Sequence, residues 1–224
     1  SGVRNKVRAM KIIISVLAIC SYFVMSSCNI VAGATYILSP DPEQEALFLL
    51  PNVRTVVFVD DRRNVMHPTR LRKVIADRIT MDLLTHEIVT TMISPKDIFR
   101  VSGANDRYNN PLPIAELGKA VEADVVIYVE MESFGLTNDG QTANPVASCG
   151  VRVVSVNENT RLFPVDKPSY FVNANLKNIN PHRVSSNSEI RKLAEELAEE
   201  LGGNVAKLFY DHIIGRLGEN LDRK

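Results

Sequence analysis

The sequence predicts a single α/β domain, in which a mixed β-sheet carries a long first helix and a long C-terminal helix packed on it. Two nearly continuous apolar runs, residues 53–60 and 124–131, are rich in β-branched side chains, as strands buried on both faces are. Two longer stretches, residues 68–87 and 186–213, repeat apolar residues every three or four positions, which is the pattern of amphipathic helices. A valine-rich hairpin at residues 147–165 makes the predicted sheet mixed.

An export signal precedes the domain. Lys11 supplies the positive start, residues 12–25 form an apolar run, and small residues follow. The run has about 14 residues, fewer than the roughly 20 that a transmembrane helix needs, so a cleaved signal is favoured over a membrane span. Residues 1–9 precede Met10 and are left out of the fold prediction.

The end of this signal resembles the lipobox of bacterial lipoproteins in residues 25–28, MSSC. The resemblance implies that the Cys28 thiol takes a diacylglycerol, that the chain is cut just before it, and that the new amino terminus is acylated. It also implies a membrane partner through this lipid and a place in the bacterial cell envelope. Asn29 stands where an aspartate marks inner-membrane retention in enteric bacteria, which favours the outer membrane, with the domain facing the periplasm.

The net charge and the cysteines of the sequence indicate which partners and which disulfides to expect. From Cys28 onward the chain has 197 residues, with 22 basic and 26 acidic side chains, a formal charge of −4. A nucleic-acid partner is not expected, because such partners select basic surfaces. Cys20 leaves with the signal and Cys28 takes the lipid, so Cys149 has no disulfide partner and is expected to be a small buried hydrophobic residue.

The predicted organisation has four parts, which are a leader with signal peptide, a tether, the α/β domain and a tail. Small residues, prolines and acids before an apolar patch favour a tether, and Pro51 breaks the chain ahead of the first strand. The four parts are residues 1–27, 28–50, 51–217 and 218–224.

The first half of the domain begins with a central strand at residues 53–60 and a helix that starts at Pro68. Residues 88–92 are predicted to form a strand, followed by Ser94 as a helix cap and Pro95 in the first turn. The first helix places six apolar residues on one stripe, namely Leu71, Val74, Ile75, Ile79, Leu83 and Leu84.

A loop and a short helix lead to the second central strand. Residues 102–111 are loop by composition, and residues 112–122 are predicted to be helical. The strand at residues 124–131 should lie beside the first one, so we expect Val57 and Ile127 to be buried on adjacent strands. The inward residues of the short helix are expected to be Leu117, Ala120 and Val121.

The sequence after the second central strand, residues 134–188, has the pattern of β-hairpins and loops. Residues 134–145 contain an Asn-Asp-Gly turn signal and are expected to form a polar tip. A hairpin is predicted from strands at residues 147–156 and 161–165, with a further strand at 169–176 and a polar loop at 175–188. Valines of both parities in the first of these strands imply a bulge or two covered faces.

The last helix has the clearest start, because Ser186 and Glu189 have the spacing of a capping box. Gly202 and Gly203 in its middle lower the helix propensity, so we expect a close packing contact or a kink there. The predicted apolar stripe comprises Ile190, Leu193, Leu197, Leu201, Val205, Leu208, His212 and Ile213.

The order of elements resembles the small α/β domain of envelope assembly lipoproteins, namely the periplasmic part of the curli secretion channel protein CsgG and the TolB amino-terminal domain. The segments that carry the resemblance are VRTVVFVD with LRKVIADRITMDLL, PIAELGKAVEADVVIYVEME, and the hairpin VRVVSVNENTRLF. The segment ATYILSP, which follows closely after Cys28, is similar to auxiliary lipoproteins of ABC-type lipid transport systems. The first resemblance implies a role in assembly or secretion, and the second a role in serving a transporter.

Residues that resemble parts of enzyme sites have simpler structural interpretations in this sequence. Residues 60–63, DDRR, are similar to the acidic pair of a receiver domain, but Glu130 stands where the phospho-acceptor aspartate would be. We interpret residues 60–63 as a solvated, salt-bridged loop. No enzyme or cofactor is predicted, because no Gly-rich phosphate loop follows a central strand and no G-x-S-x-G motif occurs. No metal site is predicted either, because the histidines lack ligand spacing. They are His67, His86 beside Glu87, His182, and His212, which lies on the apolar stripe as a core or interface residue.

Two functions remain open. The favoured one is a non-catalytic envelope lipoprotein that binds other envelope proteins, with a homo-oligomer as one form, and the alternative is a ligand- or lipid-binding auxiliary lipoprotein of an ABC-type transport system. An apolar pocket between the last helix and the sheet would support the alternative. The predicted interface with a protein partner consists of Leu208, Phe209, Tyr210 and Ile213. The competing prediction is that residues 36–50 fold back and cover this end.

Overall fold

A computed structural model describes residues 43–105, 111–180 and 184–213. The chain divides into two units, of which one is Gln44–His212 and the other consists of Ser1–Glu43 with Ile213–Lys224. Only Glu43 and Ile213 of the second unit are described. The elements within the described ranges are β1 (Glu43–Gln44), β2 (Thr55–Asp60), α1 (Leu71–Thr85), β3 (Met92–Ile93), α2 (Pro95–Asn105), α3 (Ile114–Ala120), β4 (Val125–Thr137), β5 (Ala143–Ser155), β6 (Thr160–Phe163), β7 (Tyr170–Asn175), α4 (Asn187–Ala206), a 3₁₀ turn (Lys207–Phe209) and β8 (His212–Ile213).

The main sheet is mixed, as predicted, with the strand order β3-β2-β4-β5 and with β6 and β7 both paired to β5. Strands β3 and β4 run parallel to β2. Strands β4, β6 and β7 each run antiparallel to β5. Val57 lies opposite Ile127 in the β2–β4 register, and both side chains are fully buried. The two central strands are therefore the adjacent buried pair that their apolar composition predicts.

The larger core lies between one face of the sheet and the helices α1 and α4. Leu193, Leu197 and Leu201 of α4 are fully buried, as the stripe predicts. In α1 the stripe is narrower than expected, because Val74 is only half-buried and Leu84 is 39% exposed. The buried residues of α1 are Leu71, Ile75, Ala76, Ile79 and Leu83.

Gly202 allows α1 and α4 to approach closely. A Cβ atom at this position would lie 2.9 Å from Cβ of Arg78 and 3.0 Å from the carbonyl oxygen of Ile75. At Gly203 the nearest atom, Nη2 of Arg78, would be 3.5 Å away, an ordinary contact. Of the two explanations for the glycine pair, close packing therefore applies to Gly202.

The opposite face of the sheet is covered by α2 and α3 over part of its area, around Val56, Phe58 and Val126. Helix α2 begins at Pro95 as predicted but continues to Asn105, so the expected loop at 102–111 begins later, and residues 106–110 are outside the described ranges. In α3, Leu117 is buried and Val121 half-buried, whereas Ala120 is exposed, contrary to expectation. The predicted strand at 88–92 is reduced to Met92–Ile93.

The hairpin between β4 and β5 is longer than the sequence suggested. The polar tip predicted at 134–145 is wrong over most of its length, because β4 continues to Thr137 and β5 begins at Ala143. Phe134 and Leu136 are half-buried against the larger core, which explains why this segment stays in the sheet. The β5–β6 hairpin carries the bulge that its valines implied, at Val153/Val154.

Helix α4 starts as predicted and ends earlier. The Ser186 hydroxyl accepts the Glu189 backbone N–H at 3.3 Å and donates to the Glu189 carboxylate at 3.1 Å. The helix ends at Ala206, and the chain turns through the 3₁₀ turn into extended backbone at Tyr210. The helical stripe therefore does not reach His212 and Ile213, which corrects the sequence prediction.

Candidate functional site

Acidic residues lie where the parallel pairing of β2 and β4 ends, at the carboxyl end of β2 and in the middle of β4. The carboxyl ends of parallel strands are where α/β sheets commonly hold ligands. Asp60 ends β2 and is only 5% exposed. Its Oδ2 accepts a hydrogen bond from the Tyr128 hydroxyl at 2.7 Å and lies 2.6 Å from Nε of Arg62. The expectation that Asp60 is solvated is therefore wrong, since it shares the face of Phe58 and follows it into the interior.

Asp61, in contrast, stabilises the loop after β2 through hydrogen bonds to its backbone. Its Oδ1 accepts the Val65 backbone N–H at 2.8 Å, and its Oδ2 accepts that of Met66 at 2.9 Å. The Met66 side chain is fully buried in the larger core. Asp61 is thus a structural cap that directs Met66 inward.

Glu130 lies directly opposite Asp60 in the β2–β4 register. Its Oε2 lies 2.6 Å from Nη2 of Arg152, whose guanidinium carbon stands 4.6 Å from the centre of the Tyr128 ring. Two residues further along β4, Glu132 is paired with Arg63 at 2.5 Å. Arginines thus neutralise all three carboxylates of this cluster, which we call the strand-end cluster: Asp60, Arg62, Arg63, Tyr128, Glu130, Glu132 and Arg152.

Tyr128 links the two central strands of the strand-end cluster. Burial, followed by the negative charge of Asp60, raises the pKa of Tyr128 well above its ordinary value. The phenol therefore stays protonated at neutral pH and donates its hydrogen bond to Asp60. Its ring also lies beside that of Phe58, at 5.9 Å between centroids.

Cys149 is fully buried on the core face of β5, as predicted. Burial, with a smaller contribution from the charge of Glu132, raises the pKa of the Cys149 thiol to about 12. A neutral, inaccessible thiol is a poor nucleophile. The described position of Cys149 therefore fits the small hydrophobic residue that the sequence predicted.

The histidines do not form a cluster among the described residues. His86 stacks on the Tyr210 ring at 3.9 Å, His212 is half-buried with Nδ1 3.2 Å from the Tyr210 carbonyl oxygen, and His67 is exposed. His182 lies outside the described ranges. In the part of the chain that the structure describes, no three His, Cys, Asp or Glu side chains come together in a way that could hold a metal ion.

The predicted interface residues differ sharply in exposure. Leu208, Phe209 and Tyr210 are at most 8% exposed and belong to the larger core, whereas Ile213 is 64% exposed. The prediction that Leu208, Phe209 and Tyr210 form an exposed interface is therefore wrong, because the domain itself buries these three side chains. Contact between this end of the chain and another protein stays a prediction, and of the four predicted interface residues only Ile213 is exposed.

Residues 46–50, which the sequence assigned to the tether, belong to the Gln44–His212 unit and lie beside Leu208. The backbone N–H groups of Leu47 and Phe48 both donate to the Leu208 carbonyl oxygen, at 2.8 and 3.1 Å. The Phe48 ring packs on that of Phe163 at 5.4 Å, and the Ala46 N–H donates to the Asp211 carboxylate at 2.8 Å. Over these residues the chain folds back, as the competing prediction proposed.

A cavity of about 310 Å³ lies between α1 and the C-terminal half of α4. Its lining is charged, with Arg78 Nε 3.0 Å from Asp82 Oδ1 and the Lys207 ammonium donating to Asn204 Oδ1 at 3.3 Å. Sequence reasoning missed this cavity, although the glycine pair marks the place where the helices meet. The lining residues are Arg78, Asp82, Leu176, Glu196, Glu199, Glu200, Gly203, Asn204, Lys207 and Tyr210.

The lipobox residues and Cys28 lie outside the described ranges. Within residues 43–105, 111–180 and 184–213, no helix has both the length and the apolar composition needed to cross a membrane.

Comparison with known proteins gives similarity of structure only. No protein-family model matches the sequence. No curated protein matches it either. The PelC dodecamer from Paraburkholderia phytofirmans is similar at a TM-score of 0.41 and 10% identity, covering 77% of this chain and 99% of the PelC chain.

Two further solved structures are similar at a TM-score of 0.38. The hypothetical protein CT253 from Chlamydia trachomatis has 16% identity and covers 69% of this chain and 98% of its own. Lipoprotein GNA1162 from Neisseria meningitidis has 12% identity and covers 65% of this chain and 96% of its own. At these TM-scores the similarities carry no argument about function.

Proposed function

We propose that this protein is a non-catalytic, lipid-anchored protein of the bacterial cell envelope that acts in assembly or secretion, or as an accessory subunit, through contacts with other proteins. The observation that carries the proposal is the internal pairing of the strand-end cluster. Asp60, Glu130 and Glu132 each have an arginine of the same chain within 2.6 Å. In an enzyme of this architecture the corresponding position holds the reacting groups.

The pairing opposes the two common uses of a carboxylate in catalysis. A general base needs a free lone pair directed at the substrate, and a general acid needs a proton directed at it, whereas these carboxylates face arginines of the same chain. Asp60 is further occupied by the Tyr128 hydroxyl and is nearly inaccessible. The strand-end cluster is therefore suited to holding β2, β4 and β5 together.

The envelope location is supported by the sequence. Residues 25–28 resemble a lipobox, so the Cys28 thiol would carry acyl chains such as palmitate. Each buried methylene of these chains contributes about 0.8 kcal/mol to membrane binding. Asn29 favours the outer membrane, and the resemblance of the element order to the CsgG and TolB domains supports an assembly role with a homo-oligomer as one form.

The cavity between α1 and α4 favours a second candidate function, a ligand-binding auxiliary lipoprotein of an ABC-type transport system. Its volume of about 310 Å³ is in the range of small-molecule sites. Its charged lining suits a small polar ligand, whereas the alternative from sequence required an apolar pocket between α4 and the sheet. The protein-binding role is therefore preferred.

The test compares the full chain with its Cys28→Ser variant in the bacterium that produces it. The wild-type protein should fractionate with membranes, carry acyl chains by mass spectrometry, and recover partners from the detergent-solubilised envelope after crosslinking. Cys28→Ser should be an unprocessed or soluble protein, because acylation supplies most of the membrane affinity. Membrane fractionation of Cys28→Ser at the wild-type level, with no acyl label lost, would contradict the anchor.

A second variant tests the non-catalytic part of the proposal. Glu130→Gln keeps the shape of the side chain and removes its charge, so partner recovery and biological complementation should stay at the wild-type level. Loss of complementation by a folded, membrane-bound Glu130→Gln protein that still recovers its partners would instead indicate chemistry at the strand-end cluster.

A further inference from the structure

The residues that cover Leu208 form a strap, residues 46–50, with two distinct faces. Phe48 and Leu50 point into the domain, since Phe48 packs on Phe163 and Leu50 is 8% exposed. Leu47 and Leu49 are 43% and 80% exposed. Covered and exposed side chains therefore alternate along the strap, which bends at Leu47 and Phe48. Exposed positions of a domain are usually polar, so two outward leucines are unusual there.

The strap also lies at the amino-terminal end of the described domain, two residues after its first residue, Gln44, and so is close in sequence to the predicted lipid at Cys28. Eighteen residue steps separate Cys28 from Ala46, the first residue of the strap, and a fully extended chain of that length spans at most about 65 Å. A lipid at Cys28 would therefore keep the strap close to the bilayer at a high effective concentration. Even weak apolar contacts then become occupied without any need for strong affinity.

We propose that the outward face of the strap, Leu47 and Leu49, lies in the headgroup–acyl boundary of the bilayer to which the lipid holds the chain. This inference rests on the proposed lipid anchor and adds an orientation to it. The strap faces the membrane, and the remaining surfaces of the domain face the periplasm and its protein partners. Two leucines are too few to hold a protein on a membrane, so the lipid provides attachment and the strap provides orientation.

The charges around the strap indicate whether an anionic or a zwitterionic lipid surface fits it better. Glu45 is exposed, and the carboxylate of Asp211 binds the Ala46 N–H at the start of the strap. These negative charges disfavour a strongly anionic surface. The fitting surface is therefore a zwitterionic one, such as phosphatidylethanolamine.

The experiment places an environment-sensitive probe on the strap of the acylated full chain. Leu49→Cys is labelled with bimane and reconstituted in vesicles of phosphatidylethanolamine and phosphatidylcholine that contain acyl-chain-brominated lipid. Background labelling should be low, because Cys149 is buried and Cys28 carries the lipid. Met81→Cys, at 60% exposure, and Val165→Cys, at 83%, are matched controls elsewhere on the domain.

We expect the brominated lipid to quench bimane at position 49 by about half or more and to leave positions 81 and 165 nearly unquenched. Quenching at Glu45→Cys should fall at least about twofold when Leu47 and Leu49 become serine. It should not change when another pair of exposed apolar residues, Met81 at 60% and Leu84 at 39% exposure, become serine. All of these positions are exposed, so the variants should retain the fold.

Three results would overturn the inference. Equal quenching at positions 49, 81 and 165 would mean that the strap has no preference for lipid. An unquenched label at 49 whose emission is already blue-shifted in the absence of vesicles would mean that another part of the chain covers the strap. If mass spectrometry shows Cys28 without acyl chains, the proposed anchor falls as well, whereas an acylated protein with an unquenched position 49 overturns only the orientation.

Discussion

The two faces of the sheet are built from the same strands but are closed in different ways. On one face the long helices α1 and α4 cover a continuous apolar core. On the other face the short helices α2 and α3 cover a smaller core, and the strand ends beyond it carry the strand-end cluster. Ile127 and Tyr128 are consecutive residues of β4, one in each core.

The difference teaches how an incompletely covered sheet face is stabilised. Under the long helices most of the buried strand positions are valine, and burial of these apolar side chains supplies the energy. Where the short helices end, Arg152 lies over Tyr128 and pairs with Glu130. The aliphatic stems and planar groups of the arginines then cover the face while their charges stay hydrated or paired.

The larger core can be broken at Ile127. Ile127→Ala should lower the free energy of unfolding by about 2–5 kcal/mol, because it removes buried methylene groups and leaves a cavity. Urea denaturation followed by circular dichroism measures this loss. Val165→Ala, at an 83% exposed position, is the control and should change stability by less than about 0.5 kcal/mol. Similar stability of the two variants would contradict the assigned core.

The contact between α1 and α4 can be tested at adjacent glycines. Gly202→Ala should cost about 1–3 kcal/mol, because the new Cβ would lie 2.9 Å from Cβ of Arg78 and 3.0 Å from the Ile75 carbonyl oxygen. Gly203→Ala has room and should be neutral or stabilise by up to about 1 kcal/mol through helix propensity. Thermal unfolding of the pair distinguishes packing from propensity, and equal effects of the two substitutions would exclude the packing explanation.

The second face can be tested at the Tyr128 hydroxyl. Tyr128→Phe should cost about 1 kcal/mol, since Asp60 loses one hydrogen bond but keeps Arg62. Tyr170→Phe, a half-buried tyrosine of β7, is the matched change on the other face. A loss at Tyr128→Phe no larger than that at Tyr170→Phe would show that the hydrogen bond does not stabilise the second face.

The raised pKa of Tyr128 also predicts a pH dependence. Because the pKa in the folded state lies above the ordinary value of 10.0, the contribution of the neutral phenol to stability is complete below about pH 10 and is lost as the pH rises further. Urea denaturation between pH 8 and pH 11, conditions spanning about one unit above that value, should show a steeper loss for wild type than for Tyr128→Phe. Parallel curves for the two proteins would contradict the assignment.

The smallest expected effect is that of an exposed ion pair in the strand-end cluster. Arg63 pairs with Glu132 at 2.5 Å, but its side chain is 60% exposed. Arg63→Gln should therefore cost at most about 1 kcal/mol, and the cost should shrink at high salt. A larger, salt-independent loss in denaturation experiments would mean that this arginine is part of the packed structure.

Local patterns in the sequence were sufficient for several parts of the fold. The apolar runs identified β2 and β4 as adjacent buried strands, and the capping box fixed the start of α4 at Ser186. The mixed α/β class and the burial of Cys149 also followed from composition and alternation. These features depend on residues close together in the sequence, whose periodicity reports which side of an element is apolar.

Other parts depended on contacts between distant residues. The core keeps Phe134 in β4 although its neighbourhood has turn composition, and Tyr128 keeps Asp60 buried although the sequence DDRR is typical of a solvated loop. The cavity between α1 and α4 arises only when the two helices meet at Gly202. Propensity gave no signal of these contacts, because tertiary packing overrides it.

The C-terminal end shows most clearly which features follow from the sequence and which depend on the tertiary structure. The sequence by itself determined that Leu208, Phe209 and Tyr210 form an apolar surface that needs cover, because exposing three large apolar side chains together is unfavourable. Only the tertiary structure decided that the cover comes from the chain itself, with the strap hydrogen-bonded to Leu208 and His86 stacked on Tyr210. The physical reason is that the hydrophobic effect is non-directional, so an apolar stripe reports that it must be buried but not which segment buries it.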